Sequence, residues 1–235
     1  MLTLTSSAAV SPIVNALDAV RARRGGPAVH NVTPSLVVDS TVGWMPAGPS
    51  IVPSLVDAAQ RRWAAERHVA AALAWKSYTY GVVLPVALGY STAGVMPDLS
   101  ADNVLIRLHG RDPFLEVGLC APLTTDALRS TLLDDHLLPI LDRLHDEVRI
   151  GRRTLLGAVA SAICHALLRA SDILPGTAVS SAYELLDLLG LADLVDFGPD
   201  ASGRLAVSRR TCCLAFALPT PRVCAGCCIP GRDGS

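Results

Sequence analysis

Five of the chain's seven cysteines crowd into its C-terminal end: Cys212, Cys213, Cys224, Cys227 and Cys228. The first four are spaced C-C-x10-C-x-x-C. Thiolates at this density, in a chain otherwise composed like an intracellular globular protein, are better explained by iron or zinc than by packing. Cys224-Ala225-Gly226-Cys227 is a tight turn that lets two thiolates converge on one metal atom, and Gly226 permits the backbone such a turn needs. Adjacent Cys212 and Cys213 in an extended segment point to opposite sides, so reaching one small tetrahedral ion requires a distorted backbone. A two-iron cluster offers four thiolates more separated targets. A disulfide framework is the weaker reading, because cytosolic thiols stay reduced.

The spacing does not match the C-x4-C-x2-C…C order of plant-type ferredoxins. Arg209-Arg210-Thr211-Cys212-Cys213, followed ten residues later by Cys224-Ala225-Gly226-Cys227, instead resembles the C-terminal cluster motif of the FhuF-like ferric siderophore reductases. The resemblance covers about residues 207–230 and is only architectural for the rest. It implies a [2Fe-2S] cluster held by Cys212, Cys213, Cys224 and Cys227. It also implies one-electron reduction of Fe(III) to Fe(II) in a hydroxamate siderophore, with iron release in the cytoplasm. Cys228 departs from the motif as a bystander, a substitute ligand or an oxidation-sensitive neighbour, so the fourth ligand is Cys227 or Cys228. Two other readings stand beside the reductase: a binding module with a structural zinc knot, and an iron-sulfur redox sensor.

The remaining sequence fits a redox protein that needs no acid–base pair. Neither G-x-G-x-x-G nor a P-loop occurs, which implies that electrons arrive from a partner such as a ferredoxin or flavodoxin. Trp44, Trp63, Trp75, Tyr78, Tyr80 and Tyr90 cluster in an aromatic-poor chain and suggest a wall for a large, mostly neutral ligand. Within that wall Trp75 and Tyr78 lie one helical turn apart. Arg107, alternating with His109 and Arg111, is a candidate for contacting chelate oxygens. For each of these the plainer reading is core packing or a solvated strand face. Arg209 and Arg210 are candidates for stabilising a reduced cluster or docking an acidic electron carrier. His68, His136 and His145 fall on expected helical surfaces and His165 in an apolar helix, without metal-site spacing. Cys120 and Cys164 read as buried, inert thiols. Lys76, the only lysine, reads as compositional.

These residues need elements to position them. A net charge of −1 with 17% charged residues gives no field for nucleic acid. The polar segment Met1 to Ala9 lacks the features of a secretory signal. Neither Gly81–Leu88 nor Leu155–Leu168 is long enough to span a bilayer, while peripheral attachment to the inner membrane face stays open. Apolar spacing predicts helices over Val10–Arg23, over Ser54 to about Trp75, and over Tyr78–Tyr90 with a break near Pro85. Further helices are expected over Thr125–Ile150, bent at Pro139, over Arg153–Ala170, and from Ser181, capped with Glu184, to Gly190. Ser35–Val42 reads as a strand, Asn103–Leu119 as a hairpin and Arg204–Val207 as a short strand. The expected architecture is α+β. A mostly helical siderophore-binding body with a small antiparallel sheet spans residues 1–200, with its hairpin at 103–119, and a cluster-binding segment follows over 201–235.

Overall fold

A computed structural model of the chain describes residues 7–224 and 226–229. Residues 1–6 of the expected polar N-terminus, Ala225 in the C-x-x-C turn and residues 230–235 of the cluster segment lie outside the described residues. The fold is α+β, with a helical body, one four-stranded sheet and a two-stranded hairpin beside the cysteines.

Helix α1 (Ser11–Arg24) buries Ile13, Leu17 and Val20 and ends at Gly25. Next come β1 (Val32–Val37), the short β2 (Met45–Pro46) and α2 (Val52–Trp63). Sequence periodicity predicts one helix through this region to about Trp75. The chain instead breaks after Trp63, where Ala64 turns left-handed at φ 48°, and restarts as α3 (Arg67–Ala93). Tertiary contacts hold the break: Trp63 packs on Phe114 with ring centroids 4.9 Å apart, and Arg67 is ion-paired with both Asp57 and Glu147.

Helix α3 also runs straight through Pro85, where a break was expected. Pro in a helix interior costs about 3 kcal/mol. Here the residues on both sides of it, from Gly81 to Gly89, are buried, and packing outweighs local propensity.

Strands β3 (Val104–Leu108) and β4 (Leu115–Leu119) form the expected hairpin, with Arg107 opposite Glu116. The four-stranded sheet has the order β1-β4-β3-β2 and is mixed, because β1 runs parallel to β4. The antiparallel expectation fails there: β1 reaches β4 through the α2–α3 crossover that a parallel pair requires. The next helical stretch opens with a π-helical segment, Arg129–Leu137, before α4 (Leu138–Val148). Helix α5 (Arg152–Ala170) then crosses α3 in the centre of the body. Helix α6 (Ala178–Leu189) is capped by Thr177, whose hydroxyl accepts the Ser180 N–H at 3.1 Å. The Ser181 cap expected from the sequence is therefore displaced, with Ser181 lying inside the helix.

Antiparallel β5 (Val195–Pro199) and β6 (Leu205–Arg209) close the fold. The expected boundary near residue 200 falls in the turn between them. Val195, Phe197 and Val207 all belong to the main core, so the hairpin ties the cysteine segment to the body.

Candidate metal centre and adjoining cavity

Two glycines fix how the cysteine segment lies. At the end of β6 the Arg209 N–H donates to the Gly226 carbonyl at 3.0 Å, laying the C-x-x-C turn against the strand. Gly226 has φ +73°, and a Cβ there would sit 1.7 Å from the Val207 oxygen, so only glycine fits. On the opposite side Thr211 seats in a notch of α5. A Cβ on Gly157 would lie 2.0 Å from the Thr211 hydroxyl.

Between these anchors Leu214 turns left-handed at φ 61° and donates its N–H to the Cys212 sulfur at 3.3 Å. A non-glycine residue in that conformation costs about 1–2 kcal/mol. Cys213 is buried in an apolar cluster with Val69, Leu73, Ala215 and Leu218, while Cys212 is half-buried.

The sulfurs of Cys213 and Cys224 are 3.4 Å apart. A disulfide needs about 2.05 Å, whereas two thiolates on one tetrahedral metal atom lie roughly 3.8 Å apart for metal–sulfur bonds of about 2.3 Å. The Cys213 thiol is pulled down by its contact with Cys224, helped against the cost of burial by the nearby charges of Lys76 and Arg209. Cys224 is pushed up by the same contact and by burial. Burial also pushes the Cys212 thiol up, and Cys213, Cys228 and Cys227 add to that effect. Cys212 thus lies within electrostatic reach of both candidates for the fourth ligand.

Among the described residues no three His, Cys, Asp or Glu side chains converge as they would around a single metal ion. The surroundings nonetheless suit an anionic group held by thiolates. Arg209 is only 3% exposed. Its Nε donates to the Thr211 carbonyl at 3.3 Å, while its Nη1 is buried with no partner among the described residues. A buried guanidinium with an unused donor beside a set of thiols is costly unless negative charge answers it. Four thiolates around a [2Fe-2S] cluster bring that charge, so the residues present fit the group.

A cavity of about 600 Å³ opens beside Cys224 between α3 and α5. One face of α3 lines it with Leu73, Lys76, Ser77 and Tyr80, and one face of α5 with Ala158, Ser161, Ala162 and His165. Both sets follow the helical i, i+3, i+4, i+7 spacing. The small side chains on α5 leave the space open. Trp63, Leu218 and Cys224 complete part of the wall. Lys76 also lines a small cleft beneath Cys212 and Cys213, together with Trp75 and Arg209. His165 is held neutral at pH 7, its pKa lowered to about 4 by burial and then by the charges of Lys76, Arg169 and Arg209.

Several expected positions sit elsewhere. Trp75 and Tyr78 are fully buried and do not line the large cavity. The Trp75 indole N–H donates to the Leu155 carbonyl at 2.8 Å, and the Tyr78 hydroxyl is bonded to His136. Of the aromatic run, Trp63 and Tyr80 are the members that face the cavity. Arg107 is committed to Glu116 at 2.6 Å and lies 4.5 Å from the centroid of the Trp44 ring. Arg210 is exposed and paired with Asp196 at 2.5 Å, so only Arg209 adjoins the thiols. His136 is buried rather than on a surface, and Cys120 is exposed rather than buried. The sequence reading gives Lys76 no function and does not single out Ser161 or Arg169. The available signal was the i, i+3, i+4 recurrence of small and polar residues inside an otherwise apolar α5.

Comparison of the chain with protein-family models and with curated proteins finds no match.

Proposed function

We propose that this protein reduces the iron of a bound ferric siderophore by one electron, the activity of the FhuF-like reductases that its cysteine motif resembles. The observation carrying this reading is that Cys224, one of the motif cysteines, forms part of the wall of a cavity of small-ligand size. When bound, a [2Fe-2S] cluster supplies one-electron chemistry that side chains cannot. Cys212, Cys213, Cys224 and Cys227 would hold it, with Cys213 and Cys224 as the pair close enough to share one metal atom.

The protein's own residues bind and orient. Arg209 offsets the negative charge of the thiolates, and the α3–α5 cavity holds the chelate beside them. Hard oxygen donors prefer Fe(III), so gain of one electron weakens the complex and lets iron leave. The electron comes from a reduced carrier of the ferredoxin or flavodoxin class, and the expected setting is the cytoplasm. No helix among the described residues is long and apolar enough to cross a membrane.

Anaerobically purified protein should carry two iron atoms per chain and show a paramagnetic signal on reduction. With a low-potential donor it should bleach the absorbance of a ferric siderophore faster than the donor alone. Cys213→Ser and Cys224→Ser should lose the iron. Cys227→Ser should lose it too while Cys228→Ser keeps it, and the opposite result would exchange the ligand assignment. One zinc per chain with a silent spectrum would leave the zinc-knot module instead. No acceleration over the donor alone would remove the substrate claim.

A further inference from the structure

Among the described residues, the cavity beside Cys224 is lined by cations without acids. Lys76 and Arg169 line its walls, Arg222 is exposed at its edge, and no Asp or Glu among the described residues takes part in the lining. Most described arginines of this chain are matched to carboxylates, among them Arg62, Arg67, Arg107, Arg153 and Arg210. Lys76 and Arg169 form no ion pair among the described residues, while Arg222 has Asp112 within electrostatic reach, although the chain holds nearly equal numbers of acidic and basic residues. Arg169 is turned over the Tyr80 ring, 4.6 Å from its centroid, and its side chain also hydrogen-bonds the Tyr80 hydroxyl, which together fix the guanidinium plane. In the same wall Ser161 is 1% exposed, and its hydroxyl has no hydrogen-bond partner among the described residues. Unmatched charge and an orphaned buried hydroxyl around one space describe a site short of an acceptor-rich ligand.

We propose that the cavity binds a multiply anionic, carboxylate-bearing ligand, and that the ferric chelate it takes is of the hydroxycarboxylate class rather than a neutral trihydroxamate. This rests on the reductase reading for its iron, but the anion site stands on the lining alone. Arg169 offers a fork that matches a carboxylate, Lys76 a point charge and Ser161 a donor at the cavity floor. Lys76 has a second role because it lies between the ligand space and the cleft beneath Cys212 and Cys213. When Fe(III) in the bound chelate becomes Fe(II), one electron is added and no bond is made. The complex becomes one unit more negative, and a fixed cation beside it favours that state over the starting one.

The test uses redox-inert gallium(III) complexes, so that binding is read apart from turnover. The anionic gallium(III)–citrate complex and the neutral gallium(III) complex of desferriferrichrome are titrated calorimetrically into the full-length protein. The citrate complex should bind at least roughly tenfold more tightly, and Lys76→Met or Arg169→Met should each weaken it by roughly tenfold, the loss expected for a charged hydrogen-bond donor. Raising salt should weaken wild-type binding as well, a readout that holds even if a variant folds poorly. Preference for the neutral complex, or affinity unmoved by both substitutions and by salt, would overturn the proposal. Binding of gallium–citrate without turnover of ferric citrate would remove the reductase reading and leave the anion site standing. Turnover of a neutral ferric trihydroxamate without any anion preference would do the reverse.

Discussion

His136 shows how one residue couples burial to acid stability. Its ring is fully buried, with Nδ1 2.7 Å from the Leu99 carbonyl and Nε2 against the Tyr78 hydroxyl. A neutral ring satisfies both neighbours, donating at Nδ1 and accepting at Nε2. Burial lowers its pKa from 6.5 to about 4. Between those values the unfolded chain binds a proton that the folded protein refuses, so stability falls as pH drops from about 6.5 to 4. The full loss is about 3 kcal/mol for a shift of this size. Denaturant titrations at pH 7 and pH 4.5 should show most of it, and His136→Gln should shrink the difference even if it also lowers stability at pH 7. An unchanged pH dependence in the variant would contradict this assignment. Sequence periodicity placed His136 on a helix surface because it assumed 3.6 residues per turn. The wider winding of Arg129–Leu137 turns that position inward, which no local propensity announces.

At the scale of elements, the cysteine segment is located by two tight packings rather than by its own structure. Gly226→Ala would drive a methyl group into the Val207 carbonyl at a backbone angle alanine avoids. The C-x-x-C turn should then leave β6, and the purified protein should lose most of its bound metal while its far-ultraviolet circular dichroism stays that of the wild type. Full metal content in this variant would show that the turn need not rest on β6. The elements legible in the sequence were those whose periodicity agrees with their packing: α1, α5 and the β3–β4 hairpin. The break at Ala64 was not, because Ala64-Ala65 favours helix locally and only the distant partners of Trp63 and Arg67 overrule it. Continuity through Pro85 was missed for the converse reason, since core packing there overrides a local breaker.

For the whole molecule, the boundary near residue 200 carries the clearest consequence. Val207 belongs to the main core, and Cys213, Ala215 and Leu218 cover Val69 and Leu73 of α3. Removing Val207 and Leu218 while uncovering Val69 and Leu73 forfeits about 4 kcal/mol or more at about 1.5–3 kcal/mol per large apolar side chain. A chain ending at residue 200 should therefore melt roughly 10 °C or more below the full protein, whereas equal melting would mean that the two parts fold independently. The cysteine motif was readable because its members are neighbours in sequence. The cavity was not, because Lys76, Ser161 and Arg222 meet only after α3, α5 and the cysteine segment pack together. Lys76 is also the chain's only lysine, and it is partly exposed at that meeting point. Apart from a terminal α-amino group it is the sole primary amine of this sequence, so an acylating reagent becomes a one-residue footprint of whether that space is filled.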